Sequence, residues 1–143
     1  MLEIKTKNGN SINLNDAQIQ RFAAKLNGAL IQRDEPGYDD ARAVWNGMID
    51  KHPALIAQCA STPDVITAVN FAREHELLLA VRGGGHHVAG YAVCDDGLVI
   101  DLSRMNAVEV DPDARIARAG GGATIADLDA ATQQHGLAAP MGV

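Results

Sequence analysis

Residues 81–91 read Val-Arg-Gly-Gly-Gly-His-His-Val-Ala-Gly-Tyr, and this run limits the chain more than any other. Glycine loses the most backbone freedom on ordering and packs nothing with a side chain, so three in a row are wasted inside a helix or strand. A loop that turns bare N–H groups toward an anion has a use for them. Ahead of the loop, Leu77-Leu78-Leu79-Ala80-Val81 is an apolar run that predicts a buried strand. A strand ending in a glycine-rich turn is a recurrent way to hold a phosphate. The rest of the chain is therefore expected to be the scaffold of this loop.

The 143 residues suffice for one domain with a real core. Only 3% are aromatic, so that core must be largely aliphatic. The net charge of −6 comes with no basic patch, which argues against general binding to nucleic acid or to an anionic membrane. It leaves room for one anionic ligand in a local nest of amides. The first residues carry no apolar core of signal-peptide length and no window approaches a membrane span, so a cytoplasmic protein is expected. Cys59 and Cys94 form no CxxC pair; they read as free thiols, without support for a structural zinc.

Taken in order, residues 1–14 alternate loosely and read either as short edge strands or as a loose lead-in. Asn15 reads as a helix N-cap with Gln18 as its capping-box partner, and Ile19, Phe22, Ala23 and Leu26 give one apolar face that stops at Asn27-Gly28. A short helix is expected over Tyr38–Asn46, with Trp45 as a core anchor. Leu55–Ala60 predicts a buried strand. Thr62 then reads as an N-cap, Pro63 as the first helical residue and Asp64 as an acid at the positive helix end. Val65, Val69 and Ala72 form the stripe of that helix, widened by Ile66 and Phe71. The strands on either side of it are expected to be parallel. Leu98–Leu102 is a further strand. Ala107–Val110 and Arg115–Ala119 predict a hairpin with one wet face. After Gly120-Gly121-Gly122, read as a turn and close-packing device, Thr124 caps a helix with Ile125, Leu128 and Ala131 on its stripe and Gly136 at its end. No closing element is visible in Ala139–Val143.

Read from its residues, the loop admits four roles. The first is a nucleotide pyrophosphate nest, although the Lys-Ser/Thr of a Walker loop is missing and strand signals rather than a helix follow. The second is a metal site from His86, His87, Cys94 and Asp95, which the opposite directions of adjacent side chains on an extended segment disfavour. The third is a nucleophile site at Cys94, whose acidic neighbours raise a thiol pKa. The fourth is a solvated surface turn.

Arg82-Gly83-Gly84-Gly85-His86, followed by Gly90-Tyr91 and Gly97-Leu98-Val99-Ile100-Asp101-Leu102, closely resembles the flavin loop of the vanillyl-alcohol oxidase superfamily. The resemblance is to its berberine-bridge-enzyme and 6-hydroxy-D-nicotine-oxidase branch of FAD-linked oxidoreductases. It extends through Pro36-Gly37-Tyr38-Asp39, Ala41-Arg42 and Val44-Trp45-Asn46-Gly47, then through Ala119–Ala123 and Gly136-Leu137-Ala138, covering roughly residues 15–143.

This resemblance implies an α+β fold, a small mixed sheet flanked by helices, like the first subdomain of a PCMH-type FAD-binding domain. Residues 1–35 would be a lead-in with a helix, and residues 36–143 the first part of that domain. It implies FAD as cofactor: His86 bonded to the flavin 8α-methyl carbon, the backbone of Arg82, Gly83, Gly84, Gly85, His86 and His87 along the pyrophosphate, and Gly90 and Tyr91 on the neighbouring wall. A side chain at Gly84 is expected to crowd the pyrophosphate and to restrict φ. The second FAD subdomain, the substrate domain, the catalytic base and the second, cysteinyl flavin link of some members have no counterpart here; Cys59 and Cys94 do not match that last position. The chain thus reads as an amino-terminal piece, inactive alone, expected to meet a missing half, a complementary chain or a second copy through exposed apolar surface. The alternative is a non-catalytic domain for nucleotide binding or partner assembly.

Overall fold

The computed structural model describes residues 1–140; Met141-Gly142-Val143, the end of the stretch read as lacking a closing element, lie outside the described residues. The chain opens with an antiparallel hairpin, β1 (Leu2–Lys5) and β2 (Ser11–Leu14), in which Leu2 faces Leu14 and Ile4 faces Ile12. Helix α1 (Asp16–Ala23) follows with the expected box. The Gln18 amide donates to the Asn15 side chain at 2.9 Å and the Asn15 amide returns a bond to the Gln18 side chain at 2.9 Å. The helix ends at Ala23, before the expected stop, while Leu26 still packs against the core.

The central sheet holds β3 (Ala29–Gln32), β4 (Leu55–Gln58), β5 (Leu79–Arg82) and β6 (Leu98–Asp101) in the order β3-β4-β6-β5. β3 is antiparallel to β4, and β4, β6 and β5 are parallel, so the sheet is mixed as expected. The two strands flanking helix α3 (Thr62–Glu74) do run parallel, but β6 lies between them. The apolar run therefore makes an edge strand. β5 spans Leu79–Arg82 rather than Leu77–Val81, and Val81 is 51% exposed with Leu79 also open to solvent. Both lie on the edge strand of the sheet.

Side chains alternate across the sheet. On one face Leu55, Ala57, Leu98 and Ile100 pack with Ala68, Phe71 and Ala72 of α3 and with Ile4, Leu14, Ile19 and Phe22. Phe22 and Phe71 stack with centroids 4.1 Å apart. On the other face Ile56, Ala80 and Val99 meet Val93, Cys94, and Tyr38 and Ala41 of helix α2 (Tyr38–Arg42). The buried face of α3 is Asp64, Ala68, Phe71 and Ala72, one position off the expected stripe; Ile66 and Val69 are exposed.

The reason for that rotation is Asp64. The N-cap of α3 is Ser61, not Thr62, and its side chain makes no capping bond. Asp64, fully buried, accepts instead from the amides of Asn27 (2.9 Å), Gly28 (3.1 Å) and Ala60 (2.9 Å) and from Asn27 Nδ2 (3.1 Å). Burial pushes its carboxyl up, but these four donors outweigh it and hold the group below the ordinary range. The acid expected to face the helix end thus ties β3's approach and β4's exit to α3.

Beyond β6, strands β7 (Val108–Asp111) and β8 (Ile116–Ala119) form a separate antiparallel pair, followed by helix α4 (Ile125–Gln133). Thr124 caps α4 as expected, with Asp127 as its reciprocal partner. The hairpin is wetter than predicted: β7 alternates, but every residue of β8 is exposed. Ile125 is exposed as well, so the expected α4 stripe is only partly covered. The turn before it is tight. A Cβ at Gly122 would lie 1.7 Å from the Leu102 carbonyl oxygen. Gly122→Ala is expected to cost about 2 kcal/mol, measured as a lower thermal midpoint.

Candidate functional site

The parallel strands end side by side at Gln58, Asp101 and Arg82. Ligands of open parallel sheets sit outside such carboxyl ends, and the glycine loop leaves β5 there. Asp101 is fully buried between its neighbours. It accepts from the Ser103 amide at 3.0 Å and from Gln58 Nε2 at 3.3 Å, and Arg82 Nη1 lies 3.9 Å from it. Arg82 Nη1 also donates to the Ala41 carbonyl, and the Arg82 carbonyl accepts from the Leu102 amide at 2.8 Å. The Arg82 side chain is thus turned into the fold, anchoring the start of the loop.

One upstream segment straps the loop from beneath. The Trp45 amide donates to the Gly85 carbonyl at 3.1 Å, and Asn46 Nδ2 donates to the Val88 carbonyl at 2.9 Å. Lys51 Nζ reaches the carbonyls of Gly90 (2.9 Å) and Val93 (3.2 Å). Gly85 (φ 73°) and Gly90 (φ 70°) take left-handed conformations that let the chain turn twice in this short span. The bonds consume carbonyls. Among the described residues, no backbone amide from Gly83 to Ala89 donates a hydrogen bond within the chain. A run of unpartnered N–H groups on a fixed loop is an anion-binding surface.

The two histidines go to different partners, as expected for adjacent positions. His86 stacks on Trp45 with ring centroids 5.8 Å apart and planes 20° off parallel. His87 tilts against Tyr91 at 4.8 Å. Trp45 is not the core anchor that its size suggested: it is 69% exposed. The helix expected to carry it inward stops at Arg42, because Ala43 turns extended (ψ 137°) and the chain then follows the loop. Cys94 is buried, and burial, more than its acidic neighbour Asp95, pushes its thiol up to about 11. It is a poor nucleophile. Among the described residues no group of three or more His, Cys, Asp and Glu is placed to hold a metal ion, and no helix is long and apolar enough to cross a membrane.

The second glycine run is part of the same construction. A Cβ at Gly83 would lie 2.7 Å from the Gly121 carbonyl oxygen, so the two triplets touch. Nothing in their spacing announced that contact.

Comparison with known proteins gives this geometry a family. A profile described as FAD binding domain matches residues 53–143. The chain belongs to the FAD binding domain family. It is 39% identical over 118 residues to (R)-6-hydroxynicotine oxidase of Paenarthrobacter nicotinovorans, an alignment covering 82% of this chain and 26% of that protein. It is 39% identical to an FAD-linked oxidoreductase of Aspergillus fumigatus, covering 79% of this chain and 24% of the relative. The crystal structure of 6-hydroxy-D-nicotine oxidase from Arthrobacter nicotinovorans superposes with a TM-score of 0.74 at 38% identity, over 78% of this chain and 24% of that one. Aclacinomycin oxidoreductase superposes at 0.68 with 29% identity, over 80% of this chain and 24% of its own. The chain spans about a quarter of the length of these relatives. Its FAD-binding character and its α+β fold agree with the sequence-based expectation.

The residues present fit FAD. The pyrophosphate of FAD needs donors and a close backbone, and the loop offers both. A Cβ at Gly84 would meet nothing but the side chain of His86, at 3.3 Å, so the space over the amides is clear of protein.

Proposed function

We propose that this chain supplies the pyrophosphate wall and the covalent anchor of FAD in a flavin-dependent oxidoreductase. The observation that carries the reading is the run of undonated amides from Gly83 to Ala89 on a loop held from below. In this reading the backbone of Arg82, Gly83, Gly84, Gly85, His86 and His87 lines the pyrophosphate. Gly90 and Tyr91 form the adjoining wall, and His87 contributes its backbone alone. Residues 36–143 are the first part of the FAD-binding domain, with residues 1–35 as its lead-in. When bound, FAD supplies a two-electron acceptor for hydride from a C–H bond of a small organic substrate, with dioxygen or another acceptor restoring it.

His86 is the attachment residue in this proposal. Its imidazole is exposed, and among the described residues neither ring nitrogen makes a hydrogen bond. Attachment forms one N–C bond to the 8α carbon and breaks one imidazole N–H and one methyl C–H bond. The two electrons and two protons released leave on dioxygen as hydrogen peroxide. Purified protein is expected to keep flavin absorbance after acid denaturation and to lose it in His86→Ala. Colour that washes out of the denatured wild type would replace the covalent reading with dissociable binding. Its two buried free thiols suit a reducing compartment, which favours the cytoplasm.

The exposed β8, with Ile116 and Ile125, favours a partner as well. A complementary polypeptide or a second copy covering this side is part of the proposal, and oxidoreductase activity belongs to that assembly.

A further inference from the structure

The chain has one tryptophan, and it stands mostly in solvent against the histidine proposed to hold the flavin. We propose that Trp45 is the positioning residue of that histidine: its indole sets the direction of the His86 ring for attachment. The inference rests on the His86 linkage proposed above.

Three observations meet at this pair. The ring separation of 5.8 Å and the 20° interplanar angle lie in the range of attractive offset stacking. The Trp45 amide is bonded to the Gly85 carbonyl, immediately before His86, so platform and histidine are fixed to one another through the backbone. No hydrogen bond orients the imidazole among the described residues, which leaves the indole as the group that restricts its rotation. A reacting nitrogen held in direction gains rate, because alignment need not be found at each attempt. The indole takes no part in the bond changes: the N–C bond forms at His86, and dioxygen accepts the two electrons and two protons.

The test follows acid-stable flavin with time in wild type, Trp45→Ala and Trp45→Phe. Trp45→Ala is expected to lower the attachment rate at saturating FAD about tenfold. The half-saturating FAD concentration is expected to hold within about twofold, and Trp45→Phe to recover most of the rate. A merely structural role would move half-saturation and the thermal midpoint instead. In the unliganded protein, emission of the single tryptophan is expected to change in His86→Ala as the stacked imidazole is removed. Equal attachment rates in wild type and Trp45→Ala would overturn the positioning role and leave the linkage standing. Unchanged emission in His86→Ala would overturn the stack. Wild type without acid-stable flavin would overturn the linkage, and this inference with it.

Discussion

Asp64→Ala is expected to lower the unfolding free energy by about 4 kcal/mol. The carboxylate has no solvent exposure and receives three backbone amides and one side-chain amide. Truncation removes the charged acceptor and leaves the amides of Asn27, Gly28 and Ala60 partly buried without a partner. Few single changes in a domain of this size combine both losses. A stability of about 5–15 kcal/mol would be substantially reduced, with a thermal midpoint lower by roughly 10 °C. Asp64→Asn keeps one acceptor oxygen and is expected to lose about half as much. Acid gives the same information in wild type. The folded carboxyl lies below its unfolded value, so its contribution is complete above the unfolded pKa and is lost as pH falls through the folded one. Denaturant melts from neutral pH to about pH 3 should show a smaller acid loss in Asp64→Asn than in wild type. Parallel curves would remove Asp64 as the source.

Gly84→Val is expected to weaken the non-covalent binding of FAD that precedes attachment about a hundredfold while leaving the thermal midpoint of the unliganded protein within about 1 °C of wild type. The position was expected to resist a side chain for two reasons, and the structure removes one. The φ of Gly84 is outside the left-handed region, so backbone restriction drops out. What remains is occupancy: a branched side chain would stand in the space proposed for the pyrophosphate. Gly83→Ala is the useful contrast, because its Cβ would strike the Gly121 carbonyl and should lower stability before it touches a ligand. FAD binding unchanged in Gly84→Val would show that the amides of this loop face something other than the cofactor.

Local chemistry was the most legible part of the sequence. The Asn15 capping box, the Thr124 N-cap and the divergence of the adjacent His86 and His87 all follow from interactions within a few residues. Where long-range contacts decide, the sequence misled. Trp45 looks like a core residue by size, but its place beside His86 is fixed by a loop 40 positions away. Leu79 and Val81 look buried because edge and centre strands share one composition, and only the insertion of β6 makes β5 an edge. Asp64 fits a helix-end acid locally, whereas its actual donors come from Asn27 and Gly28 as well as Ala60. The loop proposed to hold the cofactor stands out in the sequence by its residue types. The strap beneath it, from Ala41 to Lys51, takes part in the family resemblance, but its bonds to the loop were not legible in the sequence.

The strap also bears on how the protein is made. The side chains and amides that hold the loop from below belong to residues between Ala41 and Leu102. Synthesis proceeds from the amino terminus, and folding can follow it segment by segment. Once Leu102 has cleared the ribosome, every element of that support has been produced, ahead of the hairpin and of α4. Only the packing of Gly121 on Gly83 arrives later. The loop can therefore be shaped on the nascent chain, and ordering it need not be charged to the moment of the proposed flavin capture.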